Sequence, residues 1–235
     1  KNLVEFKTNF TKRFEASEVP LHLVLDAETG IGFGSKKDDS NSILDDLQVG
    51  HTPPKRYQHV IWTDVDRMLH EKLIAATQQN KYVLSLKEED FKDIPVNFSD
   101  LPDTLSSIIE VYKEGQLFIK GAGGSSAINL LGRFSHGTQD LLDHVHDIVG
   151  IEEQINKDAI LAEIVHLPEA RTGNILQRPR FRNYEIPYLG KSSVPEEFQI
   201  PIEDLLVSVR SNSLVLRSKK LNKQILPRLG NAHNY

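Results

Sequence analysis

Cysteine is absent from the 235-residue chain, which removes disulfide frameworks, zinc–thiolate sites and cysteine nucleophiles together. Long apolar runs are missing as well. No stretch approaches the ~20 apolar residues a membrane-spanning helix requires, and the opening KNLVEFKTNF lacks a signal-peptide core. A soluble cytoplasmic chain without membrane insertion is the expectation. Positive charge is in short supply: the formal net charge is −5, so any polyanion must be held by a local basic patch. Aromatic residues make up only 7% and do not interleave with basic ones, which argues against an RNA-stacking platform and assigns most of them to core packing. The G-x-S-x-G elbow, the P-loop, H-E-x-x-H and the dinucleotide fingerprint are missing too.

What is present is globular. Hydrophobic residues at 39% and charged residues at 26% can support a folded core. Phe6, Phe10 and Phe14 recur every fourth residue and predict a short amphipathic helix over 3–15. Leu21, Leu23 and Leu25 alternate up to DAETGIGFG, whose glycines break regular structure. GIGFG lacks the helix pattern of a phosphate loop, and a plain loop is expected. A helix is predicted over 63–80, capped by Thr63, with Asp64 and Asp66 in its first turn and Val65, Met68, Leu69 and Leu73 as its buried stripe.

Alternation at Tyr82, Leu84 and Leu86 predicts a short strand. Two more, over 105–112 and 116–120, flank a Lys113-Glu114-Gly115 connection. A glycine-rich stretch, 121–137, precedes a helix over 138–149. His144 and His146 are two apart and so point to different faces, which is poor metal geometry, and no metal site is expected. Strands follow at 160–166 and on either side of Ser211-Asn212, where LVSVRSNSLVLRS reads as a hairpin. Strands and helices without regular alternation predict an α+β fold, with mixed and antiparallel strands and hairpins and several packed helices. No internal boundary stands out within 1–235.

The chemically distinctive stretch is EIVHLPEARTGNILQRPRFRNY, residues 163–184, where Arg171, Arg178, Arg180 and Arg182 crowd a turn-rich segment. A planar guanidinium matches carboxylate and phosphate, so such a segment suits an anionic ligand. The alternative is an exposed, solvated basic loop. Asp26, Glu163, Glu169 and Glu185 are candidates for pairing, with salt bridges to nearby arginines as the ordinary outcome. Tyr184 adjoins the cluster.

Five pieces in order carry a resemblance: FKTNFTKRFEASEVPLHLVLDAETGIGFG, LLGRF, ARTGNIL with RPRFRNYEIPY, DLLVSVR, and LPRLGNAHNY. Together they resemble the lantibiotic dehydratases, bacterial enzymes that modify ribosomally made peptides. The resemblance implies an internal segment of the glutamylation domain, which takes glutamate from glutamyl-tRNA onto serines and threonines of a precursor peptide before a separate domain eliminates it. Glutamyl-tRNA is then a co-substrate and no cofactor is implied. Partners implied are glutamyl-tRNA, the precursor peptide, the remaining domains of a parent enzyme and a cyclase. The start without methionine and the NAHNY end suggest a piece of a longer protein, not expected to be active alone.

Residue by residue, the resemblance gives Arg171 and Asn174 the catalytic roles: Arg171 holding phosphate or the glutamyl group, Asn174 positioning the loop or donating a hydrogen bond. Arg178, Arg180 and Arg182 become tRNA contacts, with Arg133 of LGRF lining the same cleft. For each of these, solvent-facing charge or ion pairing is the competing account. Two other functions stay open, an aminoacyl-tRNA-dependent peptide ligase without elimination and a non-catalytic peptide- or RNA-binding scaffold.

Overall fold

The computed structural model describes residues 2–34, 62–95, 98, 101–166 and 180–230, the side chain of Arg133 excepted. The chain divides into two compact units, one formed by 1–37 with 102–235 and the other by 38–101.

The larger unit is organised by a six-stranded mixed sheet. In chain order its strands are β1 (Val19–Pro20), β4 (Ala159–His166), β5 (Tyr184–Tyr188), β6 (Leu205–Arg210), β7 (Ser213–Ser218) and β8 (Lys223–Arg228). They lie side by side as β1-β6-β7-β8-β4-β5. β4 runs parallel to both neighbours, β5 and β8, while β1, β6, β7 and β8 pair antiparallel. Leu161, Ala162 and Glu163 are buried in succession, the mark of a strand covered on both faces. The predicted hairpin forms as β6 and β7, and Ser211 (φ 46°) and Asn212 (φ 63°) make its two-residue turn. β5 was not foreseen because it contains Pro187; as the sheet's edge strand it tolerates a residue that cannot donate to a ladder.

One core of this unit gathers Ala162, Ile186, Ile200, Leu205 and Ile225. The N-terminal helix α1 (Asn2–Phe14) seats Phe6 and Phe10 against Val24 and Val207, as the four-residue spacing predicts. Leu21, Leu23 and Leu25, however, belong to a one-turn helix, α2 (Leu21–Leu25), that buries only Val24. DAETGIGFG folds back on it, the Ile31 amide donating to the Val24 carbonyl at 2.9 Å, and Arg13 of α1 donates to the carbonyls of Gly30 and Thr29, each at 2.6 Å. These carbonyls face a cation, the reverse of a phosphate cradle.

Two further strands, β2 (Ser106–Val111) and β3 (Leu117–Gly123), form a separate antiparallel hairpin. Its loop follows the predicted Lys113-Glu114-Gly115, with Glu114 and Gly115 at positive φ. α4 (Ile128–Leu131) and α5 (Gln139–Ile155) come next. Thr138 caps α5 by accepting from the Leu141 amide at 3.3 Å, and the helix runs six residues past the predicted 149. Val145, Ile148 and Val149 pack with Ala127, Ile128 and Phe181 in a second core.

In the smaller unit, α3 (Asp64–Gln78) carries the predicted Thr63 cap, completed as a capping box by Asp66. Its expected buried stripe is corrected. Leu69 and Leu73 are exposed and Ala76 is the only buried residue of the helix, because the described part of this unit holds only α3 and one 3₁₀ turn, too little to cover a full stripe. No strand forms at Tyr82, Leu84 and Leu86. Alternation alone does not make a strand without a neighbour to pair with, and no ladder reaches this segment.

Candidate functional site

The arginine-rich stretch connects β4 to its parallel neighbour β5, and the structure describes its two flanks. Arg182, just before β5, is 2% exposed. Its Nη2 bonds to Glu152 Oε2, and its Nε lies 3.8 Å from Glu163 Oε2. Glu152 arrives on the apolar stripe of α5, one turn beyond Ile148 and Val149. Ser126 donates to Glu152 Oε1 at 2.5 Å, and Thr104 donates to the same oxygen. Glu163 accepts from the backbone amide of Gly230.

Burial alone would raise the Glu152 pKa. The hydrogen bonds from Ser126, Thr104 and Arg182, with the Arg182 charge, outweigh it and hold the carboxyl below its ordinary value. Glu152 is therefore an anion, and Arg182 is its counter-ion. Two carboxylates and one guanidinium are enclosed together, an arrangement that is costly unless hydrogen bonds complete it.

Sequence-distant motifs converge here. A Cβ on Gly132, of LLGRF, would strike the Gly230 carbonyl and lie 3.1 Å from Phe181. A Cβ on Gly230 would lie 3.0 Å from Glu163 Oε1 and 3.2 Å from Phe181. Both glycines permit a backbone approach that a side chain would block. EIVH, the LLGRF backbone, RFRNY and LPRLG thus meet around one buried ion cluster.

Beside it, Arg180 is exposed and borders a hollow of about 300 Å³ lined also by His146, Gly150, Glu153 and Asn183. Its Nε donates to the Arg182 carbonyl at 3.0 Å and its Nη2 to Asn183 Oδ1 at 3.3 Å. Both bonds anchor the guanidinium at the rim, where it can receive a carboxylate or phosphate.

Of the residues singled out from sequence, Arg171, Asn174 and Arg178 lie outside the described residues, as does Glu169. Arg133 sits in a 3₁₀ turn, Gly132–Phe134, its side chain likewise outside. Arg180 is at the surface and Arg182 in the interior. Glu163 approaches an arginine as anticipated. Asp26 instead accepts from the amides of Glu28 and Thr29, and Glu185 from Ser192 and Ser193. Sequence reasoning missed Glu152. The signal was an acidic residue in register with Val145, Ile148 and Val149.

The family described as "Lantibiotic dehydratase, N terminus" matches residues 1–235, and the chain belongs to it. Among solved structures, the tRNA-dependent lantibiotic dehydratase MibB from Microbispora sp. 107891 is similar with a TM-score of 0.73 and 19% identity, over 98% of this chain and 23% of that one. The TbtB glutamylation domain from thiomuracin biosynthesis, bound to 5'-phosphodesmethylglutamycin, is similar with a TM-score of 0.52 and 17% identity, over 99% of this chain and 30% of that one. At these identities the likeness is one of fold. The chain spans less than a third of the length of either structure. No curated protein matches it.

Proposed function

We propose that the chain is part of a glutamylation domain that moves glutamate from glutamyl-tRNA to serine and threonine hydroxyls of a ribosomally made peptide. The carrying observation is the family match over the whole of 1–235; the MibB and TbtB descriptions supply the tRNA dependence and the glutamylation as properties of those proteins. The peptide hydroxyl oxygen attacks the carbonyl carbon of the glutamyl ester. The bond to the tRNA oxygen breaks, and the hydroxyl proton ends on the departing tRNA. Negative charge grows on the carbonyl oxygen in between, which fixed cationic donors stabilise.

Arg171 supplies that donor or grips the adjacent phosphate, and Asn174 orients the loop. Arg180, with Arg178 and Arg133, contributes phosphate contacts, which add affinity and salt dependence. Arg182 acts from beneath by fixing the chain next to them. Glutamyl-tRNA and the peptide are the two substrates; no separate cofactor is required.

Arg171→Ala in the intact enzyme removes the glutamylated peptide intermediate, read by mass spectrometry of the peptide after reaction with glutamyl-tRNA. An undiminished adduct overturns the assignment.

A further inference from the structure

Four residues of α5, His146, Val149, Gly150 and Glu153, recur at the i, i+3, i+4 and i+7 spacing that makes one helical stripe. With Arg180 and Asn183 they line the hollow of about 300 Å³, which lies wholly within the larger unit. Gly150 stands in the helix interior, where glycine weakens a helix relative to alanine, yet a Cβ there would meet no atom within 4 Å. Packing does not demand this glycine. Its effect is to keep the hollow open.

The hollow also holds two opposite charges that do not meet. Arg180 donates only to oxygens of Arg182 and Asn183: Nε to the Arg182 carbonyl, and Nη2 to the Asn183 carbonyl at 3.4 Å and to its Oδ1 at 3.3 Å. Among the described residues it has no carboxylate partner, and Glu153 has no cationic one. Arg182 differs, being paired with Glu152. The hydrogen bonds of Arg180 thus fix the direction of a guanidinium without neutralising it, which organises it for an anion before the anion arrives. A phosphate on Arg180 alone would set a second anion in the hollow with the Glu153 carboxylate, and like charges repel. A ligand that brings an ammonium together with its phosphate satisfies both residues.

We propose that this hollow reads the aminoacylation state of tRNA: Arg180 holds the phosphate of the 3′-terminal nucleotide, and Glu153 accepts from the free α-ammonium of the amino acid esterified to that nucleotide. An aminoacyl ester is a ligand of this kind, because esterification removes the amino acid's own carboxylate charge and leaves its ammonium near the terminal phosphate. Deacylated tRNA keeps the phosphate and loses the cation. Glu153 is then a specificity residue: its charge-assisted contact favours the charged tRNA, and its unpaired carboxylate disfavours the deacylated product. The inference rests on the glutamylation reading and names the part of that substrate which the hollow takes.

The test measures binding to the full-length protein, without peptide, of deacylated tRNA, of tRNA carrying glutamate through a 3′-amide in place of the ester, and of the N-acetylated form of that amide-linked tRNA. The amide resists hydrolysis, and acetylation removes the ammonium charge. The amide-linked tRNA binds at least about tenfold more tightly than its N-acetyl form, the size of one charge-assisted contact. In Glu153→Gln those two affinities come within about twofold of each other, whereas Arg180→Ala weakens all the probes alike. Equal binding of the amide-linked and N-acetyl probes by the unaltered protein overturns the proposal, as does discrimination that survives Glu153→Gln or tRNA affinity indifferent to Arg180→Ala. If Glu153→Gln does not fold, the comparison of probes on the unaltered protein decides. Failure here leaves the glutamylation reading standing when the peptide still gains glutamate from glutamyl-tRNA; if no glutamylated peptide forms, both fall.

Discussion

Around Arg182, charged groups are enclosed; on the β2–β3 hairpin, aliphatic groups are bare. Both invert the ordinary distribution, for different reasons. The interior cluster has charge-assisted bonds within its own unit: Glu152 is met by Ser126, Thr104 and Arg182, and Glu163 by Gly230. It binds together α5, β4, the approach to β5 and the segment after β8. The hairpin pairs Glu110 with Lys120 and leaves Ile109, Val111, Leu117 and Ile119 exposed. Buried charge here closes a structure upon itself, and exposed aliphatic surface leaves one open.

The largest test of that contrast is Arg182→Ala. It strands two buried carboxylates and lowers stability by about 3–5 kcal/mol in urea unfolding, whereas Arg180→Ala at the rim stays within about 0.5 kcal/mol. Similar values for the two would erase the distinction between interior and rim. Next is the acid limb. The Glu152 pKa is depressed from its ordinary 4.5, so its contribution is complete above that value and is lost as pH falls through the lower folded one. Glu152→Gln is less stable at neutral pH, and its stability declines less steeply than that of the unaltered chain below pH 4.5; parallel curves would remove Glu152 from the linkage.

The smallest effect belongs to the hairpin. In the 235-residue chain Ile119→Thr alters stability by no more than about 0.5 kcal/mol, while Ile225→Ala in the sheet core costs about 2–5 kcal/mol. Comparable losses would mean that the hairpin face is already packed.

Local signals carried much of the fold. The Phe6, Phe10 and Phe14 spacing, the Thr63 cap and the Ser211-Asn212 turn each report a nearest-neighbour preference, and each appears in the structure. β5 and β8 were illegible because both contain a proline and depend on distant partners, Ala162 opposing Tyr184 on one side and Pro227 on the other. Tyr82, Leu84 and Leu86 failed for the opposite reason, a good local pattern without a tertiary neighbour. At the site, arginine clustering was visible in sequence, but the division between Arg180 outside and Arg182 inside was not. The two arginines are two residues apart and chemically identical; only the register of Glu152 on α5 tells which one is enclosed.

The pairing of β1 with β6 sets a timetable for biosynthesis. Val19 finds Val207, and Glu18 is joined by Arg217 at 2.8 Å, so the N-terminal helix waits about 190 residues for the strand that covers it. At about 5–20 residues per second, that wait lasts roughly 10–40 s on the ribosome. Throughout it, Phe6 and Phe10 lack the Val207 wall of their core, so apolar surface stays uncovered until that strand has been made.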